Sequence, residues 1–348
     1  MASKMGKEMK QNKINFAVKL VLLIALTIIC IFLSFMVGRY KIPPSTVFDI
    51  ILSRFIPVNP PYWESSLETV VLQVRIPRIL LAIMVGGSLS ISGASYQTLF
   101  KNPMVSPDIL GVSAGAGFGA ALSMLNDGSW FEIQISALIF GLLAVAITYI
   151  LGNAYGRQGI TMLILSGIVV SSLFQALLSI VKTLADPDSQ LPSITFWLMG
   201  GLGKASNADV LVLLPALGLS LIVLFIFRNK IDVLSAGEDE AAAMGVNVIA
   251  VKLAVVISST LMTVTSVCVC GIVGWVGMVI PHMARLITGA NYARLSSISF
   301  FIGGLFLLMI DNIIRGIEGV ELPLGVLTAL VGTPVFAVML VRVKRGWK

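Results

Sequence analysis

Charged side chains are scarce in this chain of 348 residues. Only 12% of the residues are Asp, Glu, Lys or Arg, whereas 57% are hydrophobic, and the mean hydropathy is +0.97. A soluble protein of this length needs a charged surface, and this composition cannot supply one. The scarcity of charge therefore excludes a soluble globular protein and predicts an integral membrane protein.

Histidine and cysteine are also nearly absent. His282 is the single histidine, so no His/Cys zinc site can be assembled. The three cysteines, Cys30, Cys268 and Cys270, lie in apolar runs, and their odd number argues against a disulfide framework. Cys268 and Cys270 could form a metal or redox pair, but we interpret them as small buried packing residues. We therefore expect no metal site and no cofactor.

The sequence contains no motif that binds ATP or performs catalysis. Residues 200–205 (Gly-Gly-Leu-Gly-Lys-Ala) come nearest to a P-loop, but they lack its glycine spacing and its Ser or Thr. Neither a paired carboxylate nor a Ser/His/Asp or Cys/His set is recognisable. We therefore predict that the chain is not an enzyme and that it does not bind ATP in a P-loop.

Long apolar runs are abundant. Runs of about 20 residues indicate spanning helices, and the short alternating segments of a membrane barrel are missing. The sequence thus predicts an all-α, polytopic membrane fold in one transmembrane domain over residues 1–348. The ten expected spans are 16–37, 77–99, 108–126, 131–152, 160–183, 208–228, 249–270, 273–288, 296–316 and 323–342.

The positive residues predict an orientation. The net charge of +7 and the pI of about 9.4 could suggest nucleic-acid binding, but Lys and Arg gather in the cytoplasmic loops of membrane proteins. An even number of spans puts both termini on one side, and 16 of the 24 Lys and Arg residues then fall on that side. We expect an inner-membrane protein with cytoplasmic termini, a basic cytoplasmic tail over residues 1–15, and no nucleic-acid partner.

The largest inner loop, residues 229–248, carries signals for a short helix. Ser235 and Glu238 have the spacing of a capping box, and acidic residues follow in the first turn, where the helix dipole favours them. Gly245 is suited to ending the helix. The loop could be a solvated connector or a docking element for a cytoplasmic partner, and we favour docking.

Small and ionisable residues inside the spans leave several alternatives open. Ser88 and Ser92 lie in a Gly- and Ser-rich span that could serve helix packing, a substrate path, or both. Asn102, in the following turn, could gate a pore or simply cap a helix. Asp311 and Arg315 are four residues apart, and we interpret them as a structural ion pair.

The ordered set of motifs resembles the permease subunits of the FecCD type, over nearly the whole length of the chain. These permeases belong to ABC importers for iron–siderophore complexes, haem and cobalamin. The motifs are, in chain order, Arg75-Ile76-Pro77-Arg78, Ser92-Gly93-Ala94, Asn102-Pro103, Leu110-Gly111-Val112-Ser113, Trp197-Leu198-Met199-Gly200, Met244-Gly245-Val246, Gly271-Ile272-Val273-Gly274, Ile280-Pro281-His282, Asp311 with Arg315, and Leu322-Pro323-Leu324-Gly325.

The resemblance implies the architecture of an ABC type II importer permease. It implies a homodimer with two cytoplasmic ATP-binding subunits and an extracytoplasmic substrate-binding protein. Arg75, Arg78 and Arg315 match arginines that pair with acids of the binding protein. Asn102 and Met104 match positions near the inner gate, and we add Ser88 and Ser92 as candidate path residues. The residues that match the ATPase coupling element are Gly237, Glu238, Asp239, Glu240, Ala241, Met244 and Gly245.

The expected function is the ATP-driven import of an iron–siderophore or related metal chelate by alternating access. Haem or cobalamin is the alternative cargo. An ion-coupled secondary transporter would need buried charges or broken helices that hold the ion, and Asp311 alone is thin support for one. A membrane enzyme or scaffold is disfavoured because no catalytic cluster is found.

Overall fold

The computed structural model describes residues 2–38, 40–56, 62–153, 160–317 and 322–346. No β-strand occurs in these residues, so the predicted all-α fold is confirmed. The helices are α1 (Ala2–Ser34), α2 (Pro44–Leu52), α3 (Ser65–Thr69), α4 (Ile76–Leu99), α5 (Val112–Leu125), α6 (Trp130–Asn153), α7 (Ile160–Leu184), α8 (Gln190–Leu198), α9 (Asn207–Ala236), α10 (Glu238–Ala243), α11 (Val248–Cys270), α12 (Val276–Thr288), α13 (Tyr292–Gly316) and α14 (Leu324–Gly346).

The ten predicted spans correspond to α1, α4, α5, α6, α7, α9, α11, α12, α13 and α14. Seven of the described helical segments are long and apolar enough to cross a membrane, and α5, α12 and α14 provide shorter apolar helices. The remaining helices are short and connect the spans. The bundle therefore agrees with a multi-pass membrane protein of about ten spans.

The helices α4 and α13 form the central antiparallel pair. Gly86 and Gly303 meet so closely that a Cβ atom on Gly86 would lie 2.2 Å from the Gly303 carbonyl oxygen. Further along the pair, the Ser95 and Tyr292 hydroxyls are 2.6 Å apart. Glycine at these positions lets the two backbones approach, as it does in membrane bundles generally. The small residues of α4 thus serve helix packing within the chain.

A second contact of α4 is with α11, the most buried of the long spans. The Ser92 hydroxyl donates to the Ser259 carbonyl at 3.0 Å, and the Tyr96 and Thr260 hydroxyls are 2.9 Å apart. Of the most apolar 18-residue window of α11, 83% is buried. Its many hydroxyl side chains therefore lie inside protein and not against lipid.

The two ends of the bundle are defined by contacts between distant segments. At one end, the Lys101 Nζ donates to the Ala236 carbonyl at 2.9 Å and joins the turn after α4 to the end of α9. We call this the α10 end. At the other end, Arg75, Arg78 and Arg315 gather where α4 begins and α13 ends. We call this the arginine end.

The chain between α11 and α12 is not helical. α11 ends at Cys270, residues 271–275 are extended or bent, and α12 begins only at Val276. Gly277 then packs on Gly93, since a Cβ atom on Gly93 would lie 1.7 Å from the Gly277 carbonyl oxygen. Gly93 is past the midpoint of α4. The predicted span 273–288 is therefore present as α12, and its start lies three residues later than predicted because non-helical chain precedes the helix.

A π-helical segment, Val70–Arg75, joins α3 to α4 without a break. Its hydrogen bonds span one residue more than those of an α-helix. Such segments are rare in proteins overall, and those that do occur are often found at functional sites. The helical run therefore starts at Ser65, well before the predicted start of the second span. The segment ends on Arg75, the first residue of the arginine end.

Candidate functional site

The arginine end is built around one buried carboxylate. The Asp311 side chain is 0% exposed, and the Arg78 Nε atom donates to its two oxygens at 2.9 and 3.1 Å. The Arg315 Nε atom lies 3.0 Å from the same carboxylate, one helical turn further along α13. The predicted ion pair of Asp311 and Arg315 is confirmed, with Arg78 as its third member.

Arg75 and Arg315 also hold the chain that follows α1. The Arg75 side chain donates to the carbonyls of Phe35 and Tyr40, and Arg75 is only 4% exposed. The Arg315 Nη1 atom donates to the Val37 carbonyl at 3.3 Å. The structure thus brings the three predicted docking arginines together but turns them largely inward. Their docking role stays a prediction.

A cavity of about 990 Å³ opens at the arginine end. Besides the three arginines and Asp311, its charged lining comprises Lys204 and Asp127. The Lys204 Nζ atom lies 5.3 Å from the centre of the Trp130 ring, within range of a cation–π contact. Positive groups outnumber carboxylates in this lining by two. The cavity therefore offers a positive potential together with aromatic surface.

The inner wall of the cavity is made where three chain segments cross. The Gly201 amide donates to the Cys270 carbonyl at 2.8 Å, and the Leu324 amide donates to the Gly200 carbonyl at 2.9 Å. These bonds join the ends of α8, α11 and α14. The sequence motifs contain Gly200 and Leu324 but do not reveal this crossing, because it depends on contacts between distant segments.

Gly271 is required at this crossing. Its φ of +71° lies in the left-handed region, and a Cβ atom there would lie 2.2 Å from the Trp197 carbonyl oxygen. We expect Gly271→Ala to lower the free energy of unfolding by about 1–3 kcal/mol, the typical cost of a strained backbone. Gly274→Ala is the matched control, because a Cβ atom at Gly274 meets nothing within 4 Å. Thermal unfolding in detergent measures both variants, and equal midpoints would contradict the assignment.

The α10 end presents a short acidic helix. Within α10, Asp239 and Glu240 are exposed and Ala241 is buried, while Met244, just after the helix, is 70% exposed. Glu238 is tied to Lys252 of α11 by an ion pair of 2.6 Å. Gly245 follows with a φ of +79°, as a helix-ending glycine should. The predicted short helix is therefore present, and acidic and apolar side chains are exposed on it and just after it.

The predicted capping box is wrong. α9 continues through Ser235 to Ala236, and the Ser235 hydroxyl donates backwards to the Asp232 carbonyl at 2.6 Å. The N-cap of α10 is Gly237, which has no side chain to cap with. The spacing of Ser235 and Glu238 fits the motif, but α9 extends through Ser235, so this residue cannot be the N-cap of α10.

The candidate gate and path residues occupy two different places. The Asn102 Oδ1 atom accepts from the Met104 amide at 2.9 Å and so closes a local turn at the α10 end, where Met104 is 53% exposed. Ser88 and Ser92 are 0% exposed on α4. Ser92 binds α11, and the Ser88 hydroxyl has no hydrogen-bond partner in the described part of the chain. Their roles in a gate or path stay predictions.

Residues that could bind a metal are not grouped. Among the described residues, no three His, Cys, Asp or Glu side chains lie close enough together to hold a metal ion. Cys268 and Cys270 are both buried, and the Cys270 thiol lies 3.0 Å from the Ser266 carbonyl oxygen. These contacts agree with the interpretation of both cysteines as packing residues.

Comparisons with known proteins agree with this architecture. Residues 26–342 match the model of the FecCD transport family. The molybdate import system permease protein MolB of Haemophilus influenzae is 33% identical over 334 residues, 96% of this chain and 97% of its own length. A probable iron chelatin transport system permease protein of Helicobacter pylori is 36% identical over 282 residues, 80% of this chain and 85% of its own length.

A solved structure is similar over almost the whole fold. It is described as an inward-facing conformation of a metal-chelate type ABC transporter, with a TM-score of 0.83 and 32% sequence identity. The match covers 94% of this chain and 99% of that one. The resemblance inferred from the motifs is thereby confirmed, and the type II importer permease architecture with it. The family match and the extent of these similarities show that the chain belongs to the FecCD transport family.

Proposed function

We propose that this ABC importer permease moves a metal chelate inward, with an iron–siderophore as the first candidate. The observation that carries the proposal is the cavity of about 990 Å³ at the arginine end. Ligand pockets of roughly 300–1,000 Å³ suit molecules of drug size. Its excess of positive groups favours an anionic cargo, and its aromatic residues favour one with apolar surface.

The size of the cavity bears on the cargoes named for the two relatives described above. One relative is a molybdate permease and another is named for an iron chelatin. A bare tetrahedral oxyanion would leave most of this volume empty and would gain little from Trp130 or Trp197 in the lining. A chelate several times larger would contact both the arginines and the aromatic rings. Haem and cobalamin are the alternative large cargoes.

We propose that the two ends of the bundle bind different partners. The exposed acids of α10 and Met244 offer a docking surface for cytoplasmic ATP-binding subunits. The positive arginine end suits an acidic, extracytoplasmic binding protein, because arginine pairs well with carboxylates. The permease would act as a homodimer in the inner membrane, with both termini in the cytoplasm. Alternating access driven by ATP hydrolysis on the partners would move the cargo.

Reconstitution in proteoliposomes tests the proposal. The permease is combined with its cognate ATP-binding subunit and binding protein, and uptake of labelled ferric siderophore, molybdate, haem and cobalamin is compared. We expect ATP-dependent uptake of a ferric chelate and little uptake of molybdate. Preferred uptake of molybdate would overturn the proposed cargo. Accumulation by the permease alone, driven by an ion gradient, would overturn the proposed mechanism.

Arg78 offers a test of the docking end. Its side chain is 16% exposed, more than that of Arg315. Arg78→Gln removes one positive charge from the cluster, so we expect the Kd of the binding protein to rise about fivefold or more, corresponding to about 1 kcal/mol. Arg54→Gln is the control, because Arg54 pairs with Glu68 in an exposed ion pair at 2.6 Å. Equal losses in the two variants would contradict a specific role for the cluster.

A further inference from the structure

Asp232 joins two helices that are far apart in the sequence. It lies near the end of α9, and its Oδ1 atom accepts from the Tyr292 amide of α13 at 2.7 Å. Its Oδ2 atom accepts from the Asn291 side-chain amide at 2.8 Å. Asn291 in turn caps α13, because its own side-chain oxygen accepts from the Arg294 amide. Both oxygens of one carboxylate thus hold the start of α13.

This link lies immediately beside the docking helix. Asp232 precedes Glu238 by six residues, and α9 is helical up to Ala236. The Lys101 bond to the Ala236 carbonyl and the ion pair of Glu238 with Lys252 tie the same region to the turn after α4 and to α11. A partner that displaces α10 must therefore move the end of α9, and Asp232 moves with it.

The far end of α13 carries the arginine cluster. α13 is a continuous helix of 25 residues, about 37 Å long, and Asp311 and Arg315 lie in its last two turns. Its close packing on α4 at Gly303 leaves little room for bending. A displacement at the start of α13 is therefore carried along the helix towards Asp311 and Arg78.

We propose that Asp232 is a positioning residue that transmits the movement of the ATP-binding subunits from α10 to α13, and so to the arginine end. This inference rests on the proposed function. It assigns the transmission to a defined pair of hydrogen bonds and not to the bundle as a whole. The link requires two acceptor atoms opposite two donors. The two oxygens of the Asp232 carboxylate are the acceptors, and the Tyr292 backbone N–H and the Asn291 side-chain NH₂ are the donors.

Asp232→Asn tests the inference in the reconstituted complex. The variant keeps the shape of the side chain but places an NH₂ group against one of the two donors. Coupling between sites typically amounts to about 5–150-fold. We therefore expect uptake per ATP hydrolysed to fall about tenfold or more, while ATP hydrolysis itself stays within about twofold of the wild type. Unchanged uptake per ATP would overturn the inference.

A reciprocal variant separates transmission from simple loss of stability. Asp232→Asn combined with Asn291→Asp restores a donor–acceptor pair with the roles exchanged, and we expect uptake per ATP to recover to within about threefold. Asp209→Asn is the matched control. Asp209 is a buried carboxylate at the opposite end of α9 that accepts from Gln134 at 2.6 Å. We expect the Asp209→Asn variant to keep the wild-type uptake per ATP hydrolysed. A loss equal to that of Asp232→Asn would overturn the inference.

Amide hydrogen exchange tests the link independently of transport. Asp232→Asn should speed exchange over residues 291–294, and the reciprocal variant should slow it again. A wild-type complex without ATP-driven uptake would overturn the proposed function, and the exchange measurement would then decide on the link alone. Unchanged protection of the amides of residues 291–294 in Asp232→Asn would overturn the proposed link.

Discussion

Replacing Asp311 by alanine should lower the unfolding free energy by about 3–5 kcal/mol, the usual cost of removing one partner from a buried ion pair. The side chain is 0% exposed, and it balances Arg78 and Arg315 at distances of 2.9–3.1 Å. Without it, two nearly buried guanidinium groups repel each other with no carboxylate between them. Denaturant titration of the purified permease in detergent gives the size of the loss.

A control and a second variant make this test specific. Glu68→Ala breaks an ion pair that is much more exposed, with Arg54, and we expect it to cost less than about 1 kcal/mol. Asp311→Asn keeps the shape but removes the charge, so it should lie between wild type and alanine. If Asp311→Ala costs no more than Glu68→Ala, the carboxylate does not stabilise the arginine end.

Reversing the charge of α10 should abolish assembly with the ATP-binding subunit. In Asp239→Lys combined with Glu240→Lys, both changed side chains are exposed, so the spanning helices should be unaffected. The docking surface changes from acidic to basic, and we expect at least about a tenfold loss of the co-purified ATP-binding subunit, because like charges at an interface cost several kcal/mol. Uptake should fall to background.

The control for this variant lies at the arginine end. Glu64→Lys combined with Asp188→Lys makes the same change of charge on exposed residues remote from α10. It should leave the amount of bound ATP-binding subunit unchanged. The neutral pair Asp239→Asn with Glu240→Gln, which places no positive charge at the start of α10, should give a smaller loss. Full assembly of the charge-reversed protein would rule out α10 as the docking element.

The spans and the close-packed helices could be predicted because their signals are local. A run of about 20 apolar residues indicates a spanning helix whatever its neighbours are. Glycines four residues apart favour close helix packing. Gly115 and Gly119 of α5 have this spacing, and they face the backbone of α6 at Phe140 and Ser136. The pairing of Asp311 with Arg315 was also readable, because the two residues lie one turn apart.

The rest could not be predicted because it depends on contacts between distant residues. The inward turn of Arg75 is set by the carbonyls of Phe35 and Tyr40, which no local pattern reveals. Asp232 falls in the predicted inner loop 229–248, and no local pattern shows that the Tyr292 amide, 60 residues away, donates to it. The break after Cys270 is likewise held by contacts with α8 and α14.

The π-helical segment at Val70–Arg75 allows the helix before α4 to change its direction by a very small change in sequence. Removing a single residue from it would leave an ordinary α-helix, because the segment holds one residue more than regular winding requires. α3, which lies directly before it, would then turn by about 100° around the helix axis relative to α4, while Arg78 and Asp311 kept their places. The loss of one codon would thus re-aim α3 while leaving the packing of α4 on α13 in place.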